Sequence, residues 1–318
     1  PVGGLVLLPE HRNPDPGPWD LPSVGLSMVG MLGVPVLALT MPPLQATALL
    51  APIYVASDMV GVYLYRHRFS GRNLAILIPA AGLGIGVGWA TASIADARLV
   101  TGAPVWLKPL KFGLSITVYA WTLGWLLADF PAPVQRAVRR ISQGAALAMV
   151  VELAVIFGQA ARGVGSHFND QTLLDGVLFG LMGVFIMLNT GVIVWATVLA
   201  WRHRPHGPGG YVWGLRLGLV VFVLGSVVGG VMSGLHQHTV GAPDGGPGLP
   251  GLGWSTRAGD LRAAHFLGLH ALQALPLLGW LLSRWVPRRA VGLTWAGAGA
   301  YAALVGVLFA WAMLGRPL

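Results

Sequence analysis

Asp260-Leu-Arg-Ala-Ala-His-Phe-Leu-Gly-Leu-His-Ala-Leu-Gln-Ala-Leu-Pro276 is an apolar run of helical length that carries His265 and His270 and begins with Asp260 and Arg262. Ionisable side chains are costly in a bilayer and are seldom kept there without a partner or a task. The solvent around this run therefore decides how the chain is read, and the rest of the sequence identifies it.

Of 318 residues, 55% are hydrophobic and 10% charged, mean hydropathy is +0.69, and apolar runs of about 20 residues recur. The expectation is an all-α, polytopic membrane bundle of about nine helices. Glycine (46) and proline (23) are abundant, as is usual where helices pack closely or break inside a membrane. The net charge of +9 does not indicate nucleic acid, because the basic residues form short clusters between apolar spans instead of one stripe. The absence of cysteine excludes disulfides, thiolate metal sites and iron–sulfur clusters, leaving histidine, carboxylate and carbonyl ligands.

Residues 1–22 read as a surface lead-in. The patch Val2 to Leu8 lacks the basic leader and small-residue cleavage site of a signal peptide. Spans follow at 23–41, 44–65, 73–95, 109–129, 141–161, 172–200, 211–235, 261–283 and 290–314. If each crosses once, Arg66, Arg68 and Arg72, then Arg136, Arg139 and Arg140, then Arg202 and Arg204, then Arg284, Arg288 and Arg289 share one side. The positive-inside rule makes that side cytoplasmic, in a bacterial-type inner membrane with the N-terminus inside. Small residues four apart, Gly82 to Gly88 and Gly225 with Gly229, are read as packing surfaces.

The first spans carry Gly25, Gly30, Gly33-Val-Pro35, Leu39-Thr-Met-Pro-Pro43, Ala46, Pro52, Asp58 and Tyr63-Leu-Tyr-Arg66, followed by Arg72, Pro79, Gly82, Gly86 and Gly88. In order and spacing this segment, 23–95, resembles the first half of the sulfite exporter (TauE/SafE) family. The resemblance implies an inner-membrane exporter of small anions, such as sulfite or sulfur-containing organic acids, built from two related halves. No second copy of the pattern follows Ala95, and 96–318 reads as a six-helix bundle with an outward-facing polar cluster. Asp58, deep in an apolar span, is either part of a solute path or a carboxylate satisfied by Arg66 or Tyr63.

The candidate site is drawn from several spans. Lys108 and Lys111 stand three apart on one helix face at the outer interface, suited to an anion or to snorkelling beside Trp106. Glu152 lies mid-span, with Gln159 seven residues on and on the same side. The next outer loop offers Arg162, His167, Asn169 and Asp170 before Asp175, with Asn169 or Asp170 available as a helix N-cap. Asn189 is suited to hydrogen bonding between helices. The glycine- and proline-rich loop after His236-Gln-His238 is ordered by turns or moves as a lid. His265 and His270 are separated by about 140° and about 7.5 Å along a helix, so they do not chelate one ion together. His265 shares a face with Arg262, and His270 with Gln273.

These readings favour a transporter of a small anion, its partners being that solute and the lipid bilayer. Lysines and Arg262 would attract charge, and Glu152 with the histidines would couple protons. One rival is a redox protein or enzyme holding haem b or a divalent metal through His167, His236, His238, His265 or His270. The other is an accessory membrane subunit in which the polar cluster is structural.

Overall fold

The computed structural model describes residues 96, 98–249 and 252–317. The lead-in, the three spans drawn over 23–95, Asp58 and the exporter-like segment lie outside the described residues. Among those described, Asp96 and Pro104–Thr117 belong to one unit, and Arg98–Ala103 with the residues from Val118 onward to another.

Among the described residues, six helices are long and apolar enough to cross a membrane, which makes this a multi-pass helical membrane protein. They are α1 (Leu107–Ala128), α2 (Gln135–Arg162), α3 (Leu173–Arg202), α4 (Gly209–Leu235), α5 (Leu261–Trp285) and α6 (Ala290–Met313). They correspond to the last six of the nine expected spans. α2 begins at Gln135, earlier than the span drawn from 141. Hydropathy marks the bilayer-compatible stretch, whereas the hydrogen-bond ladder runs on through Arg136, Arg139 and Arg140, which water accommodates.

The helix ends follow from local chemistry. Gly163, at φ 75°, takes the left-handed position after α2, where its N–H reaches the Ala160 carbonyl and Val164 reaches Gln159; a side chain would be strained there. Thr172 caps α3 by accepting from the Asp175 N–H. Asp260 caps α5 by accepting from the Arg262 N–H. Asn169 and Asp170, the caps expected from the sequence, precede the true one.

Within the larger unit, α4 and α5 meet along glycines. A Cβ on Gly214 would lie 2.2 Å from the Leu275 carbonyl oxygen, one on Gly225 2.6 Å from Gly268, and one on Gly279 2.1 Å from Gly210. Such contact needs hydrogen in place of side chains, and in lipid it supplies the dispersion and Cα–H···O contacts that hold helices together. α6 closes the group through Val221, Ala271, Leu275, Ala298 and Val305. Large apolar residues such as Val184, Met187, Leu304 and Val307 stay exposed on α3 and α6, a surface suited to lipid tails.

The arginine-rich ends converge. The start of α4 meets the start of α6 through Gly209 and Val291, and meets the end of α5 through Gly210 and Ser283. Tyr211 donates to the Asp129 carboxylate just after α1. At the opposite end the described residues of the loop between α4 and α5 pair with one another. β1 (Thr239–Val240) pairs antiparallel with β2 (Gly259–Asp260), Thr239 opposite Asp260, and Gly248 bridges Ser255.

Candidate functional site

Glu152 sits halfway along α2 and is 2% exposed. Its Oε1 lies 3.4 Å from His167 Nε2, and the Ser166 hydroxyl lies 3.1 Å from His167 Nδ1. The loop that delivers His167 is fixed by the glycine stop at Gly163, by Asn169 donating to the Gly165 carbonyl, and by Phe168 in the left-handed region at φ 55°. A short turn after α2 thus folds an imidazole back onto a carboxyl group two to three helical turns deeper. That depth is why the pair is invisible to helical spacing alone.

Beside it, Gln159, Arg162, Thr172 and Asp175 form a closed network. Asp175 Oδ1 accepts from Gln159 Nε2 at 2.8 Å and from Arg162 Nη1 at 2.6 Å. Its Oδ2 accepts from the Thr172 hydroxyl at 2.6 Å. Arg162 also donates to Gln159 Oε1. With its negative charge placed at the N-terminus of α3, Asp175 further satisfies the helix dipole.

Two further histidines, His236 and His238, gather around two phenylalanines. Phe168 lies 5.7 Å from Phe179, 4.8 Å from His238 and 6.4 Å from His236 between ring centroids, and His167 lies 6.4 Å from Phe179. His236 holds the left-handed position that ends α4, at φ 55°. His238 Nδ1 donates to Asp244 Oδ2 at 2.7 Å.

Asp244 was not singled out by sequence, although a carboxylate six residues beyond a histidine in a glycine-rich turn was the available signal. Burial opposes its charge. Hydrogen bonds from the His238 side chain and backbone and from Thr239 outweigh that penalty and hold its carboxyl below the usual carboxylate range. A carboxyl group depressed in the folded state stabilises it fully above its unfolded value of about 3.9 and loses that contribution as pH falls through the folded one. Acidification below about pH 4 should therefore lower the protection of residues 238–244 against amide exchange, relative to the intrinsic rate at the same pH. Asp244→Asn should reproduce much of that loss at neutral pH, and unchanged protection in the variant would refute the role given to the carboxylate.

Arg262 is bound to its own helix start. Its Nε and Nη2 fork onto the two oxygens of Asp260, at 2.9 and 2.6 Å, and Nη2 also reaches the Gly253 carbonyl. Asp260 is buried and accepts from the Ser255 N–H as well. The two therefore form a structural clasp for the loop between α4 and α5. Arg162 and Arg262 each already hold a carboxylate.

His265 and His270 go separate ways, as their spacing requires. Nδ1 of His265 donates to the Gly225 carbonyl on α4 at 2.8 Å, its ring lying over Gly229. Nδ1 of His270 donates to the Phe266 carbonyl one turn back, and its ring stacks on Phe266 at 4.0 Å. Gln273 Nε2 donates to the Thr122 hydroxyl on α1, and Tyr119 donates to Asn189 between α1 and α3. Lys108 and Lys111 occupy the first turns of α1, in the smaller unit, with Lys108 Nζ 5.8 Å from the Phe112 ring centroid.

Among the described residues no three histidine, aspartate or glutamate side chains converge as a metal-binding group. The five candidate histidines are instead spread over a carboxyl pair, an aromatic cluster, a loop clasp and two backbone carbonyls.

No family model matches this sequence, and no curated protein or solved structure matches it.

Proposed function

We propose that this protein is a membrane transporter that moves a small solute in exchange for, or together with, a proton handled by Glu152 and His167. The observation that carries the reading is a carboxyl group, 2% exposed in the middle of an apolar helix, facing an imidazole 3.4 Å away on the loop side. The pair sets a carboxyl group beside an imidazole, two groups between which a proton can pass, and that is what coupling requires. His167 is partly exposed and links the pair to the face opposite the arginine-rich end.

The solute class rests on sequence alone, on the resemblance of 23–95 to sulfite exporters and on Lys108 and Lys111. A small anion of the sulfite or organic-acid class fits both. The arginine clusters would place the N-terminus in the cytoplasm of a bacterial-type inner membrane.

The test is uptake of labelled methanesulfonate and of sulfite by proteoliposomes, with and without a pH gradient. The unmodified protein should accumulate one of them under a gradient. Glu152→Gln should lower gradient-driven accumulation by about a hundred-fold, the lower end for removing a positioned acid–base group, while leaving downhill exchange measurable. Accumulation untouched by Glu152→Gln would overturn the coupling role. No flux of either solute through the unmodified protein would overturn the anion reading.

A further inference from the structure

The arginine-rich end of the bundle contains one cation that topology does not explain. Arg216 lies seven residues inside α4, about 10 Å along the helix from its start. Its Nε donates to the Ala200 carbonyl at 2.8 Å, closing the last turn of α3. Its guanidinium carbon lies 4.9 Å from the Trp213 ring centroid and 5.8 Å from that of Trp201. Trp295 of α6 continues the aromatic wall 5.0 Å from Trp213.

With one nitrogen spent on Ala200 and indoles beside its faces, the Nη pair is what remains to bind. Neither Arg216 nor the exposed Arg204 pairs with a carboxylate among the described residues. Arg204 follows four residues after Ala200, whose carbonyl Arg216 holds, so the two cations lie at the same end of α3. Two neighbouring cations at a membrane interface call for an anion, and a guanidinium edge matches phosphate oxygens two at a time.

Trp201 and Trp295 are each 44% exposed. Half-exposed indoles at this level favour the headgroup and glycerol region of a lipid. The geometry points to a binding site for the phosphate of one anionic phospholipid, formed by Arg216 and Arg204 and walled by Trp201, Trp213 and Trp295. A zwitterionic headgroup is a poorer occupant, because its own ammonium neutralises the phosphate that the two arginines require.

Native mass spectrometry of the full chain, released from micelles containing phosphatidylglycerol or phosphatidylcholine, tests the site. Phosphatidylglycerol should be retained in preference to phosphatidylcholine. Arg216→Gln and Arg204→Gln should each lower retention by roughly five-fold, the effect of one interfacial cation. Arg136→Gln makes the same charge change at an exposed residue beginning α2 and should leave retention unchanged. Among the described residues Arg204 makes no side-chain hydrogen bond or ion pair that its replacement would break, so that variant keeps the test readable if Arg216→Gln fails to fold. Equal loss in Arg136→Gln would reduce the effect to general surface charge and overturn the site. So would equal retention of phosphatidylcholine, or displacement of the lipid by millimolar inorganic phosphate.

Discussion

Replacing Gly214 with valine should leave little folded protein after mild heating in detergent. The new Cβ would stand 2.2 Å from the Leu275 carbonyl oxygen and 2.8 Å from its carbon. Both obstacles are backbone, so no rotamer change relieves them and α4 must move away from α5. The contacts along Gly210, Gly218, Gly225 and Gly268 would loosen together, because rigid helices cannot part at one point only. The expected cost is at or above about 3 kcal/mol, the upper end of ordinary overpacking, and a fall of roughly 10 °C in Tm for a chain of this size. Gly230→Ala on the same helix meets nothing within 4 Å and should melt close to the unmodified protein. Equal damage from both substitutions would point to a general intolerance of α4 instead of a glycine seam.

Asp260→Ala should be the second large loss, and for an electrostatic reason. The carboxylate caps α5, anchors the Ser255 N–H and accepts a two-pronged bond from Arg262. Alanine leaves the capping N–H groups and the guanidinium without their acceptor. The expected cost is about 3 kcal/mol, the lower end for breaking a buried pair, since Arg262 is partly exposed. Asparagine keeps the shape and the cap but removes the charge, and should recover about 1 kcal/mol of this. Thermal melts of the two variants, with amide exchange in 239–260, separate the contributions. If the two melt alike, the charge pair is what matters; if asparagine restores full stability, the cap is.

The spans were legible because each is a long apolar run, and the six described helices lie where hydropathy put them. Glu152 was also legible, since a carboxyl group amid valine and leucine stands out in any apolar run. Its partner was less so. His167 was one of several polar residues in the loop between α2 and α3, and the Gly163 stop and the left-handed turn at Phe168 aim it at α2.

Arg262 has a partner nearer than its helical face suggested. Helical spacing put it beside His265 as a charge for an anion, whereas Asp260, two residues away, takes its guanidinium. Local partners at a helix cap win over longer reaches because they cost less side-chain entropy. Arg216 was passed over as one more basic residue. It carries the same signal as Glu152, an ionisable group well inside an apolar run.

By itself the sequence determined the solvent of this protein, the number and position of its described helices, and which residues are expensive to bury. Those properties follow from composition and from the bilayer's thickness, which act on each segment separately. Tertiary structure alone decided the partners. Asp175 holds Arg162, the Gly225 carbonyl takes His265 Nδ1, and His167 stands near Glu152 Oε1. Pairing depends on the turns between helices and on how closely glycines let backbones approach, and both are set by distances of a few ångströms between residues far apart in the chain.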